Sequence, residues 1–405
     1  VTPRAIRADA TVKPPIPPPI TATLRDRIAE VRALVDNFDE LLIVRRHAPV
    51  NPETAMNTTD AQLLAAWKQV LTLSKVTPGE SVTLLTSTNT NQQNYRAAEL
   101  AATELGAIVT TVSLPPTNGH LSLSRDKTAY VGVTALKGNK AAMAALRESD
   151  LVIDLMLLLF SPEQAKILES GTRMLLAVEP PEILTRLVPT LDDKRRVLAA
   201  EKRLRRAKRM TVTSKAGTRL ECALGSYPII SEYGFADEPG RWDHWPSGFL
   251  VTWPDESTAE GKIVIDTGDI IFPFKDYVRS PIELTVADGY VRAIDGGFDA
   301  EFLRSYMEFF RDPEVYAVSH VGWGLQPRAQ WTALGMFDKE ATLGQDGRAF
   351  YGNFLFSTGP NTEAGGNRNT PCHLDVPMRH CSVSLDGEPM TIDGDVIPGD
   401  QRASF

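Results

Sequence analysis

Only six histidines occur among 405 residues, so each one close to an acid is a candidate for chemistry. The strongest lies in Thr370-Pro371-Cys372-His373-Leu374-Asp375. Alternate side chains of an extended segment share a face, so His373 and Asp375 point the same way. Two adjacent donors on one rigid segment suit a facial metal site, and a third must come from elsewhere. His320, in Val318-Ser319-His320-Val321-Gly322-Trp323-Gly324, is the leading candidate. Two imidazoles and one carboxylate on one face of Fe(II) leave three positions open for substrate and oxygen. The bland alternative is a surface strand with an incidental histidine. The stretch Gly359–Asn369 is rich in Gly, Asn and Thr, which puts the His-x-Asp segment after a long loop, a common place for a site. Cys372 alternates to the opposite face and is expected to be structural.

A second cluster combines Ser231-Glu232-Tyr233 with Arg241-Trp242-Asp243-His244-Trp245-Pro246-Ser247-Gly248. Glu232 and His244 could serve as acid–base groups in an aromatic pocket; the alternative is a loop with stacked aromatics. Arg348, Tyr351 and Ser357 precede the His-x-Asp segment and could anchor a polar substrate. His47, His120 and His380 read as non-ligands. There is no Gly-x-Ser-x-Gly, Cys-x-x-Cys or His-Glu-x-x-His, so serine hydrolase, zinc-finger and zincin readings have no motif support.

The elements that must position these residues change character along the chain. Residues 1–55 hold a Pro-rich arm, Lys13-Pro14-Pro15-Ile16-Pro17-Pro18-Pro19, which favours polyproline II, and one amphipathic helical pattern over residues 22–46. They read as an extension before Met56 or as an arm on a neighbouring subunit. From Met56 to residue 209 the pattern is α/β. Helices are expected at Asp60–Leu73, Gln92–Leu105 and Lys140–Glu148, with strands at Ser81–Thr86, Ile108–Val112, Leu151–Leu155 (an apolar run that continues to Leu159) and Met174–Val178. Ser161-Pro162-Glu163-Gln164 is a helix start. Strands alternating with helices argue for a parallel, doubly wound sheet. The loop Ser87-Thr88-Asn89-Thr90-Asn91 lacks phosphate-loop glycines. A helix over residues 192–209 carries nine Lys or Arg from Lys194 onward, read as a solvated face or a brace. Residues 210–405 turn strand-rich, with Asp-Gly hairpin signals at 288–289 and 386–387 and one helix at Ala300–Phe310. They form an α+β domain carrying the metal segment.

Composition sets outer bounds. With 43 basic and 51 acidic residues the net charge is −8, which argues against nucleic-acid binding. Three cysteines make no disulfide framework, and no apolar run is long enough to span a bilayer. A soluble cytoplasmic protein with no membrane partner is expected.

From about Met56 to the C-terminus the chain resembles the 2,5-dihydroxypyridine 5,6-dioxygenases of bacterial nicotinate degradation. His320, and His373 with Asp375 two residues on, fall where that family has its Fe(II) ligands. The family fold is related to the aminopeptidase T type of metallopeptidase, and Trp245-Pro246-Ser247-Gly248 and Ser257-Thr258-Ala259-Glu260-Gly261-Lys262-Ile263 are similar to stretches shared by both groups. The peptidases use two metals and several carboxylates. Here His320 and Phe249 stand where two of those carboxylates are expected, which favours a dioxygenase over the alternative, a metalloaminopeptidase. A non-catalytic α/β binding protein is a further rival, in which His320 need not approach His373.

The resemblance implies one Fe(II), a dihydroxypyridine and O2 as small-molecule reactants, and N-formylmaleamic acid as product. It further implies a homo-oligomer built from dimers. Glu232, His244, Arg348, Tyr351 and Ser357 are the candidates for substrate contacts. The resemblance also puts a proton-transferring histidine just before Ser-Pro-Glu-Gln, where this chain has Phe160. A phenylalanine cannot move a proton, so either the chain manages without that base or the residue at 160 is a replacement.

Overall fold

The computed structural model describes residues 58–115 and 134–403. The expectations for residues 1–55, including His47, and for His120 lie outside the described residues.

Four parallel strands form the first sheet, in the order Ile108–Leu114, Ser81–Ser87, Leu151–Asp154, Arg173–Leu176. Their residues alternate between two cores. Leu151 and Ile153 pack with Leu63, Trp67, Ala98 and Ala101 of the helices Asp60–Leu73 and Gln92–Glu104. Val152 and Met174 pack on the other side with Leu146 and Ile167 of the helices Lys140–Arg147 and Pro162–Glu169. A sheet buried on both faces needs near-continuous apolar strands, which is what these four-residue segments supply.

Side chains fix the helix starts. Thr59 and Gln62 make a reciprocal capping box, Asn91 accepts from the amides of Gln93 and Asn94, and Ser161 accepts from that of Gln164.

Two differences from the sequence reading matter for the site. Arg241–Gly248, where no strand is expected from the sequence, contributes the strand Trp242–His244, which extends the parallel sheet beside Arg173–Leu176. Three residues are too few to show a period. The apolar run expected to continue as a strand to Leu159 instead stops at Asp154. The Asp154 carboxylate accepts from the amides of Met156 (2.9 Å) and Leu158 (2.5 Å), which pulls the chain out of the sheet. Leu157 and Phe160 then take positive φ values of 66° and 49°.

The strand-rich remainder makes two further large sheets. One has eight antiparallel strands and includes the hairpins at Asp288-Gly289 and Asp386-Gly387. All four turn residues have positive φ, the geometry of a type I′ turn. The other runs in the order Leu374–Met378, Phe354–Thr358, Val318–Gly324, Phe249–Thr252, Ile229–Glu232, antiparallel throughout. The basic helix, Leu191–Leu204, is a brace: Arg196 is buried against Asp192 and Asp193, Arg195 donates to the carbonyls of Asp400 and Arg402, and Arg203 pairs with Glu388 and Asp400. No helix among the described residues is long and apolar enough to cross a membrane.

Candidate metal centre and substrate pocket

His320 and Asp375 sit on the first and third of three neighbouring strands, and His373 immediately precedes the third. Asp375 stands in register with Ser357 on one side, and on the other its amide and carbonyl exchange hydrogen bonds with Phe272. The register of Val318–Gly324 slips between Val318 and Val321, and His320 occupies that irregularity. The Ser357 hydroxyl donates to the His320 carbonyl (2.8 Å). The Trp253 ring meets the imidazole edge-on at 5.6 Å, and its indole N–H donates to Ser319 Oγ (3.2 Å). Gly359 turns the chain at φ 117°, where a Cβ would lie 2.2 Å from the Cys372 carbonyl. Only glycine lets the strand end pass the segment that carries His373.

Three ligand atoms meet. His320 Nε2 and His373 Nε2 each lie 3.1 Å from Asp375 Oδ1, and 3.3 Å from one another. Donors about 2.1 Å from an ion and at right angles lie about 3.0 Å apart, so this triangle fits a divalent cation held on one face. Both Nδ1 atoms are buried with no hydrogen-bond partner among the described residues. Among the described residues this is the one His/Cys/Asp/Glu group spaced to hold a metal. Burial opposes ionisation of Asp375, but Arg348 and the two imidazoles overcome it and hold the carboxyl well below its usual range. Arg348 Nε donates to Asp375 Oδ2 (2.7 Å), Nη1 donates to the Leu343 carbonyl, and the guanidinium lies 3.8 Å above the Phe272 ring. Its Nη2 is buried and unpartnered.

The triangle forms one wall of a cavity of about 80 Å³, the size of a single small ring. Leu157, Leu159 and Phe160 form another part of the lining, and Glu232, His244 and Arg348 also line it. A second cavity of about 850 Å³ shares Phe160, Ile230, Trp242 and Glu363 with the first, so the Phe160–Trp242 pair, 5.3 Å between ring centres, stands between them. Glu232 accepts from Ser247 Oγ (3.0 Å); burial, and then the nearby Asp243, push its carboxyl well above the usual range. Burial, aided by Arg348, pushes His244 down to about 3, so its ring is neutral.

Phe249, at the position of a peptidase carboxylate in the resemblance, lines the cavity as an apolar wall. Tyr351 and Ser357 do not line it. Tyr351 faces the C-terminal segment, its hydroxyl donating to the Gln401 carbonyl and accepting from the Ala403 amide, because the turn that follows Arg348 carries it to the other side of the strand. Ser357 spends its hydroxyl on the His320 backbone. His380 sits in a turn at φ 56°, away from the triangle. Cys372 is fully buried off the metal face, its thiol pushed up to about 12 by desolvation; Cys222 and Cys381 are buried too.

The sequence reading missed three contributors. Gln345 and Glu363 line the cavity, and Glu179 holds the loop that carries Gln345. Glu179 follows the strand Arg173–Leu176, and the carboxyl ends of parallel strands are where ligands collect; that signal was available.

Residues 62–398 match the family 2,5-dihydroxypyridine 5,6-dioxygenase (NicX). The 2,5-dihydroxypyridine 5,6-dioxygenase of Pseudomonas putida strain KT2440 is 56% identical over 349 residues, covering 86% of this chain and all of that one. The solved structure of 2,5-dihydroxypyridine dioxygenase from the same strain superposes with a TM-score of 0.84 over 85% of this chain and all of that chain. Wild-type AmpT from Thermus thermophilus, 14% identical, shares the fold at a TM-score of 0.58 over 84% of this chain. A family match over most of the described chain and a relative 56% identical along its whole length assign this enzyme to the 2,5-dihydroxypyridine 5,6-dioxygenase family.

Proposed function

We propose that the protein cleaves 2,5-dihydroxypyridine between carbons 5 and 6 with Fe(II) and O2. The product is N-formylmaleamic acid, and the setting is nicotinate degradation. Both oxygen atoms enter the product and nothing else leaves. The observation that carries this reading is the closed triangle of His320, His373 and Asp375 in the wall of a ring-sized cavity. When bound, Fe(II) supplies open positions for a ring oxygen and O2 and a path for electron density between them.

The chain's own groups do the rest. Arg348 keeps Asp375 ionised and offers Nη2 to an anionic ring oxygen. Glu232, held protonated by burial, is a proton donor in the cavity. His244 is a neutral hydrogen-bonding partner. Leucines and aromatic side chains exclude water. Phe160 occupies the place the resemblance gives to a base, so proton removal from the substrate falls to another group or is slow. In this reading residues 56–209 supply the Phe160 wall and residues 210–405 the metal, in a cytoplasmic homo-oligomer.

Anaerobic titration with Fe(II), followed by oxygen uptake on 2,5-dihydroxypyridine, tests the proposal. One iron per chain and one O2 consumed per ring are expected. Two tightly bound zinc ions per chain and peptide hydrolysis would replace it with the peptidase reading.

A further inference from the structure

Gln345 lines the cavity, is 5% exposed, and has no place in the reading above. Its Nε2 contacts His244 Nδ1. An amide nitrogen carries hydrogens, so the imidazole Nδ1 is the acceptor and Nε2 carries the ring proton. That leaves two buried polar atoms without partners among the described residues, the acceptor Gln345 Oε1 and the donor His244 Nε2. Buried polar groups are nearly always paired, and an unpaired one in a site points to a ligand.

The pair is also held rigidly. Glu179, fully buried, accepts from Thr342 Oγ1 (2.6 Å) and from the amides of Leu343 and Gln345 (2.9 Å each). Gly344 takes φ 82°, and a Cβ there would lie 2.4 Å from the Phe272 ring. Gln345 opens the helical turn that ends at Arg348, so both face the cavity from one turn.

A 2-hydroxypyridine is in equilibrium with its 2-pyridone form, a cyclic amide whose N–H donor sits beside a carbonyl acceptor. An acceptor and a donor offered by one hydrogen-bonded pair of side chains match the two functions of that edge. We infer that Gln345 is the specificity-determining residue of this site, its Oε1 accepting from the ring N–H while His244 Nε2 donates to the oxygen on carbon 2. Reading the nitrogen also fixes orientation. Carbon 6 is bonded to nitrogen and carbon 4 is not, so a ring held by its N–H presents a defined side of carbon 5. The inference rests on the dihydroxypyridine reading.

The test uses the full iron-loaded chain without O2 and measures dissociation constants for two rings. One is 2,5-dihydroxypyridine and the other hydroquinone, the same shape with CH in place of the nitrogen. In the unmodified protein hydroquinone binds about tenfold or more weakly, because Gln345 Oε1 is left unpaired. In Gln345→Met the dihydroxypyridine loses that advantage and the ratio falls to about twofold. A merely structural role would weaken both rings equally and leave the ratio intact, which would overturn the inference. So would equal affinities in the unmodified protein, a measurement that needs no variant. Oxygen uptake separates the two claims. If the unmodified protein consumes O2 with dihydroxypyridine yet treats the rings alike, only the role of Gln345 falls. If it neither binds nor consumes dihydroxypyridine, the substrate reading falls and takes Gln345 with it.

Discussion

The two walls of the cavity are built by opposite means. The metal wall is a ladder, with His320 and Asp375 on strands that flank Phe354–Thr358 and backbone hydrogen bonds on both sides of Asp375. The loop wall, Leu157–Phe160, has no ladder. It hangs from side chains: Asp154 accepts from the amides of Met156 and Leu158, and Gln164 donates to the Leu158 carbonyl and accepts from the Phe160 amide; two of its residues adopt a left-handed conformation that costs a non-glycine residue about 1–2 kcal/mol. Ligand atoms must keep fixed spacing, which a ladder provides. A loop wall can change its side chains without disturbing that spacing. On the proposed reading, the metal site and the proton chemistry are therefore separable in this fold.

The most severe way to break the ladder side is Asp375→Ala. It leaves two neutral imidazoles facing a divalent charge, so iron is lost and turnover falls below detection while circular dichroism is unchanged. A fully active, iron-replete variant would remove Asp375 from the ligand set.

On the loop side, Phe160→His should raise turnover by about 10²–10⁴, the usual worth of a general base, with iron content and substrate affinity little altered. Histidine also tolerates positive φ better than a bulky aromatic. Equal turnover at full iron loading would show that residue 160 takes no part in proton transfer.

Glu232→Gln addresses the donor that stands between the walls. A fall in kcat of about 10² is expected. The raised carboxyl is protonated below its folded pKa, so activity in the unmodified protein declines as pH rises through that value. The glutamine variant should lack this alkaline limb; an unchanged limb would assign it to another group.

The smallest effect on activity is expected from Asp154→Asn, and its readout is stability. Burial raises Asp154 from 3.8 to about 7. The folded state then holds a proton that the unfolded state releases, so its contribution to stability declines as pH rises from about 4 to about 7. Urea midpoints at pH 5 and pH 8 should show the unmodified protein losing about 2–3 kcal/mol more than the asparagine variant across that interval. Iron content should not change. If it does, the two walls are not independent.

The sequence was legible where patterns are local. The alternating strands and helices, the cap at Ser161, both Asp-Gly hairpins and the fold class could be read from short windows. His373 and Asp375 are two residues apart, so a single strand period placed them together. His320 lies 53 residues away, so the sequence could offer it only as the leading candidate, which the resemblance then supported. What stayed hidden depends on long-range contact. Gln345 is an ordinary polar residue until Glu179, 166 positions earlier, fixes its loop. The strand Trp242–His244 is too short for a period. The end of the apolar run at Asp154 was visible as a break in composition, but its role as acceptor for two amides was not. Ser357 shows the converse: a hydroxyl in the right stretch of sequence went to hold a strand irregularity.

The burial of Cys372 bears on how the protein ages in air. A thiolate beside His373 would compete for the metal as a soft ligand and would be the first group oxidised wherever iron and oxygen meet. Holding the thiol protonated on the far side of the strand removes both hazards. All three cysteines are buried, so on the proposed Fe(II) reading oxidative wear should register first as loss of iron, with the count of free thiols unchanged.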